Sequence, residues 1–428
     1  MPDQMVARAA VDRDGEEQSA ADPSARNAQV LVAFTAVTNL TDGVTKVALP
    51  LIASSLTKSP VLVSGVLFTM TLPWLLVALH VGALVDRADR RRLLWLANGL
   101  RVAAIAAVLA AMEADAIGLP LLYAGAVVLG VAEVIALTSA SALVPSAIAP
   151  ARRERVNAVM TGVETVSNEF VGPFVGGVLV TVSASLALGV STGGYLAATA
   201  VLPLLVGRFK VARAADRPQV SVNRQIGEGL RFLWRQQLLR TLSLSVAALV
   251  FCWAAWFALM PLVATRTWKV SPTGYGALVG ALGVGGLIGT LVVGRVNRLL
   301  GRRWAMFANI VAAASMVAVP AVAANVWACG AAAFLGGLGS TLWVVNTRTI
   351  SQALVGADMM GRYSSASRLF SGGALPLGAA VAGGLGQAVG YRITFALFAA
   401  AAAIVIVPFV RAFTPEALAE VEAKLSAR

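Results

Sequence analysis

Histidine and cysteine are nearly missing from this chain: there is a single His80, and Cys252 and Cys329 each stand alone inside an apolar stretch. That scarcity leaves no metal-ligand or redox spacing, so neither a metal centre nor a disulfide framework is expected. Charge is scarce as well, at 13% of the 428 residues against 58% hydrophobic, where soluble domains carry roughly 25%. No Walker-type phosphate loop occurs, which excludes direct use of ATP. No nucleophile elbow or paired histidine-glutamate motif points to an enzyme. The first residues lack an apolar core, so no secretory signal peptide is expected.

What the chain has in abundance is apolar runs punctuated by arginine. A membrane helix needs about 20 mostly apolar residues to cross about 30 Å of hydrocarbon. With Arg, Pro, Gly and polar clusters as punctuation, twelve spans are expected at about 28–54, 61–84, 93–113, 118–141, 157–182, 184–206, 240–264, 273–297, 304–323, 326–348, 364–388 and 391–411. Loops after even-numbered spans hold twenty Lys and Arg residues, and loops after odd-numbered spans hold four. Positive excess marks the cytoplasmic side, so both termini are expected there. The net charge of +13 reads as orientation and not as a nucleic-acid footprint, because the basic residues lie between spans.

Five segments follow. Residues 1–26 are expected to be a disordered cytoplasmic tail, 27–206 and 240–411 two bundles of six helices, and 412–428 a cytoplasmic C-terminal tail. Residues 207–239 form the one long polar break, where Ile226, Leu230, Leu233 and Trp234 at helical spacing, with Arg231 and Arg235 between them, predict an interfacial helix. The halves echo each other. Gly82 is followed seven, eight and nine residues on by Asp89, Arg90 and Arg91, and Gly294 at the same offsets by Gly301, Arg302 and Arg303. The expected fold class is an all-α polytopic membrane protein, twelve transmembrane helices in two pseudo-symmetric six-helix bundles, a layout typical of secondary transporters.

Gly82, Leu84, Asp86, Arg87, Arg90, Arg91 and Leu94, between spans 2 and 3, resemble the signature motif of the major facilitator superfamily, with Asp89 where a second glycine is usual. That departure, with "DGVTKVALPLIASSLTKSP", "LPWLL" and "VGPFVGG", resembles bacterial drug and siderophore exporters of the macrolide-efflux and enterobactin-exporter kind. The resemblance implies a monomeric exporter in a bacterial cytoplasmic membrane, working by alternating access and proton antiport. It has membrane lipids around it and no cofactor beyond the proton gradient. It also implies that Asp86 braces the closed cytoplasmic gate against the start of span 11, for which residues 363–366 are expected. Gly172, Pro173, Gly176 and Gly177 match the tail of the span-5 motif that marks antiporters, with Asn168 in place of its upstream glycine. A lipid or lysolipid mover, a metabolite importer and a non-transporting membrane sensor remain the alternatives.

Ionisable groups at membrane depth cost roughly 2.5 to 3.5 kcal/mol each, so each should face a cavity or a partner. Asp42, Lys46 and Glu169 are expected near the midplane, and Arg101, Glu133 and Glu164 nearer the cytoplasm. A carboxyl group in a cavity can load a proton on one side and release it on the other, which makes Asp42, then Glu169 and Glu133, the candidate carriers. The bland alternatives are an i,i+4 pair of Asp42 with Lys46 and a pair of Glu133 with Arg101. Glu164 is expected as a brace near the cytoplasmic mouth. Trp253, Trp256, Phe257 and Trp343 are expected to line a wide cavity for a bulky, partly apolar small molecule, against the alternative of a membrane-interface belt.

Overall fold

Backbone N–H and C=O groups left unpaired in hydrocarbon are costly, so a chain this apolar can cross only as helices or as a closed barrel. In a computed structural model the structure describes residues 23–85, 88–207, 209 and 222–426, and no strand occurs among them. Eight helices among the described residues are long and apolar enough to cross a bilayer. Two of these cross twice. Pro272–Val322, at 51 residues, would extend about 75 Å if straight, but Gly301 breaks it with φ 76°. Gly390, with φ 80°, likewise divides Ala357–Ile404. Side chains rarely adopt such angles, and glycine takes them freely.

The twelve crossings are span 1, Pro23–Leu56; span 2, Pro60–Leu76 continued by Ala78–Val85; span 3, Arg90–Glu113; span 4, Leu119–Ala147; span 5, Pro150–Val182; span 6, Ala184–Leu204; span 7, Gln237–Thr267; spans 8 and 9, either side of Gly301; span 10, Val326–Leu354; and spans 11 and 12, 357–389 and 391–412. The repeat seen in the sequence falls on matching turns. Asp89 caps span 3, its carboxylate accepting from the Arg91 and Arg92 backbone N–H groups at 2.9 and 3.3 Å, and Gly301 makes the equivalent turn before span 9. The arginine after each turn then reaches the next span of its own half. Arg90 donates to the Ala142 carbonyl at 2.7 Å, and Arg302 to Asn346 Oδ1 at 3.5 Å.

Several ends differ from expectation, because hydropathy marks the membrane and not the helix. Span 1 begins at Pro23, inside the segment expected as tail; residues 1–22 lie outside the described residues. Span 11 begins at Ala357 with Gly356 as its cap. Residues 363–366 are therefore helix interior and not a helix start, and Tyr363 is buried there with its hydroxyl 3.1 Å from Ser351 Oγ. The break between the halves contains the helix Val222–Arg235. It packs on span 11 through the Glu228–Arg362 pair at 3.1 Å and the Trp234–Phe370 stack. The C-terminal segment carries the helix Pro415–Ser426.

The halves meet at the end away from the arginine-rich turns. Arg266 donates from Nε and Nη2 to the Ser54 and Ser55 carbonyls at 2.8 and 2.9 Å. Ser59 donates to Gln387 at 2.8 Å, and the Thr181 and Thr273 hydroxyls are 2.8 Å apart. Spans 5 and 8 touch backbone to backbone, since a Cβ on Gly177 would lie 2.9 Å from the Gly276 Cα. This far end is closed.

Candidate functional site

Behind that closure, at mid-depth between the halves, lies a cavity of about 480 Å³. Trp74, Leu67 and Pro50 wall it from the first half, and Trp253, Phe257, Tyr275 and Leu375 from the second. Three charged side chains reach it: Lys46 from span 1, Glu133 from span 4 and Glu169 from span 5. A mostly apolar lining with a few polar groups is what small-molecule sites present.

The charges are paired between helices. Arg101 Nη2 donates to Asp42 Oδ2 at 2.8 Å, Tyr195 OH donates to Asp42 Oδ1 at 2.7 Å, and Arg101 Nη1 donates to Asn98 at 3.2 Å. The guanidinium also sits 5.3 Å from the Tyr195 ring centroid. Arg101 is 3% exposed and Asp42 13%, so this is a buried knot of spans 1, 3 and 6. Lys46 and Glu169 form a looser pair, 3.6 Å apart and 35% and 44% exposed. Asp42 therefore pairs neither with Lys46 nor within its own helix, and Arg101 is taken by Asp42 and not by Glu133. Glu133 lines the central cavity together with Trp74.

Span 5 owes its shape to Pro173. Proline lacks an N–H, so the Glu169 carbonyl loses its helical donor, and the preceding residues Thr165–Val171 widen into a π-helical turn. Such turns recur at functional sites. This one brings Asn168 and Glu169 together at the cavity, Asn168 donating to Asn39 Oδ1 at 3.0 Å. The freed carbonyl lies against Gly283 of span 8, where a Cβ would strike it. Gly172 and Gly176 face Gly43 and Val44 of span 1, while Gly177 faces span 8. The span-5 motif is thus a seam on both sides.

A second cavity, of about 350 Å³, lies within the first half among spans 1, 3, 4 and 5. Asp42, Arg101 and Glu164 line it, and Glu133 and Asn168 border both cavities.

Other expected residues are placed as follows. Trp253 and Phe257 line the central cavity. Trp256 does not: it is fully buried in the core of the second half, edge-on to Phe257. Trp343 is likewise core, 4% exposed and beside Phe409. A Cβ on Gly82 would meet no described atom within 4 Å, while Asp86 and Arg87 lie outside the described residues. Arg91 donates to the Leu205 carbonyl at 3.4 Å, so with Arg90 it ties span 3 to spans 4 and 6. Sequence reasoning missed Tyr195 and Asn39. A phenol among the small residues of "STGGYLAATA" was the available signal for the first; a lone Asn in a helix gave little for the second.

Two curated relatives carry the name multidrug efflux pump Tap. The protein from Mycolicibacterium fortuitum is 27% identical over 384 residues, covering 86% of this chain and 92% of the relative. That from Mycobacterium tuberculosis strain H37Rv is 28% identical over 371 residues, covering 83% and 85%. The fold is similar to a bacterial homologue of the iron transporter ferroportin in its inward-facing state, with TM-score 0.71 and 17% identity over 91% of this chain and 98% of that one. It is also similar to a bacterial homologue of the lysosomal transporter Spinster, with TM-score 0.67 and 13% identity over 94% and 98%. Residues 22–427 match the family model described as transmembrane secretion effector, and the chain belongs to that family of major facilitator superfamily transporters, a multi-pass membrane protein and not an enzyme.

Proposed function

We propose that the protein exports bulky, partly apolar small molecules across a bacterial cytoplasmic membrane in exchange for protons, as a monomer working by alternating access. The arginine-rich end and both termini face the cytoplasm, and the proton gradient supplies the energy without a cofactor. The observation that carries this reading is the central cavity. It is aromatic, built by both halves, closed at the far end, and holds Glu133 and the loose Lys46–Glu169 pair. The names of the mycobacterial relatives support the same reading.

On this reading the acids divide by role. Asp42, gripped by Arg101 and Tyr195, anchors the first half. Glu169 and Glu133 face the cavity, where an arriving compound competes for them, and these two exchange protons. An aromatic compound stacks on Trp74, Trp253 and Phe257, and closing the arginine-rich end while the far end opens carries it across.

The test is proton release from purified, detergent-solubilised protein on adding ethidium and rhodamine 6G, with Trp fluorescence reporting binding. Wild type is expected to release protons, and Glu133→Gln and Glu169→Gln to lose some or all of that release while still folding. Binding without release would overturn antiport and leave facilitated movement or lipid movement. Absence of both would overturn the substrate class.

A further inference from the structure

The second cavity needs an occupant. It is polar, it lies wholly inside the first half, and at about 350 Å³ it exceeds several times over the ~30 Å³ share of one water. Two nearly inaccessible polar side chains border it with atoms that find no partner among the described residues: Nε of Arg101, 3% exposed, and Oδ1 of Asn168, 7% exposed. Buried polar atoms of this kind are ordinarily satisfied by ordered water. At the arginine-rich end its rim is formed by Ser141 of span 4 and by Asn157 and Thr161 of span 5, all exposed. At its inner end it reaches Glu133, which also borders the central cavity.

A compound that fills the central cavity from the arginine-rich end covers the direct way out for a proton held at Glu133. We propose that the second cavity is a separate hydrated exit, by which the proton leaves Glu133 for the arginine-rich side while a compound occupies the central cavity. This rests on the antiport reading above. The carboxylic O–H of Glu133 breaks, the proton passes to a water of the second cavity, and the carboxylate remains. The charged groups facing this step are Asp42 and Lys46 of span 1, Arg101 of span 3, and Glu164 and Glu169 of span 5. Asn168, hydrogen-bonded to Asn39, is the partition that keeps the compound out.

Thr38 lines only the second cavity, so its accessibility reads the route directly. A charged methanethiosulfonate, which travels only through water, is expected to label Thr38→Cys; the native Cys252 and Cys329 are buried and border neither cavity. Adding Thr161→Trp at the rim should slow labelling at least tenfold, whereas Leu375→Trp, which fills the central cavity from the other half, should leave it unchanged. Ala140→Cys, at a half-buried position that also borders only the second cavity, serves as the second reporter should Thr38→Cys fail to fold or to react. Unlabelled reporters, or labelling blocked by Leu375→Trp and not by Thr161→Trp, would overturn a separate route. In the functional arm, Thr161→Trp should slow ethidium-evoked proton release at least tenfold with ethidium affinity unchanged. Release at the wild-type rate in this variant overturns the exit, while no release from wild type overturns antiport itself and leaves the labelling result to stand on its own.

Discussion

The two ion pairs of the first half make opposite demands, and removing one partner from each separates them. Arg101 and Asp42 are 2.8 Å apart and nearly excluded from solvent. Deleting one member of such a pair leaves an uncompensated buried charge and costs about 3 to 5 kcal/mol. Lys46 and Glu169 are 3.6 Å apart and more than a third exposed, where the contribution falls to about 1 kcal/mol or less. Arg101→Met is therefore expected to lower unfolding stability by about 3 kcal/mol, more than a hundredfold in the equilibrium, and Lys46→Met by no more than a third of that. The double variant Asp42→Asn/Arg101→Met, which strands neither charge and keeps an acceptor for Tyr195, should be more stable than the two single losses predict by about 2 kcal/mol. The assay is reversible unfolding in mixed micelles, with compound-driven proton release measured in parallel. Lys46→Met should retain stability and lose release. Single losses that add to within about 0.5 kcal/mol would refute the reasoning, since they would mean that Arg101 and Asp42 do not depend on each other.

Other outcomes follow from the packing. Trp253→Ala is expected to weaken binding of an aromatic compound by roughly tenfold, about 1.4 kcal/mol, with little loss of stability; Trp256→Ala should instead cost about 3 to 5 kcal/mol of stability, read by the same unfolding assay. Oxidising Thr181→Cys/Thr273→Cys, placed where two hydroxyls are 2.8 Å apart, should lock the far end and stop transport until reductant is added. Gly177→Val, whose side chain would meet the backbone of span 8, should slow that cross-link. Arg266→Gln weakens two charge-assisted hydrogen bonds of about 1.5 to 3 kcal/mol each, and thiol labelling at the far end should rise in consequence.

The count of crossings and their division into halves could be read from the chain because both are local: apolar length, arginine punctuation and the Gly82 and Gly294 offsets carry them. Asp89 and Gly301 took up matching turns for the same reason. What could not be read is which charge meets which. Asp42 and Arg101 are 59 residues apart, and only the packing of spans 1, 3 and 6 makes them neighbours, whereas spacing along one helix favoured Lys46. The faces of span 7 were equally hidden. An all-apolar helix has no polar stripe to orient it, so Trp253 and Trp256 looked alike in sequence although one lines the cavity and the other is core. Helix ends slipped because spans 1 and 11 continue past the apolar run into polar sequence that still favours helix.

The closure at the far end is made by Arg266 on two backbone carbonyls, by hydroxyl and amide contacts, and by glycine faces, with no carboxylate taking part among the described residues. Ionic strength screens pairs of opposite charges, and titration alters groups that can ionise; this seam offers little to either. Brackish or acidic surroundings would leave its balance between shut and open nearly where it was. Under the proton-exchange reading proposed above, Glu133 and Glu169 sit behind this seam, so the door at the far end would be indifferent to the medium that the chemistry inside would sense.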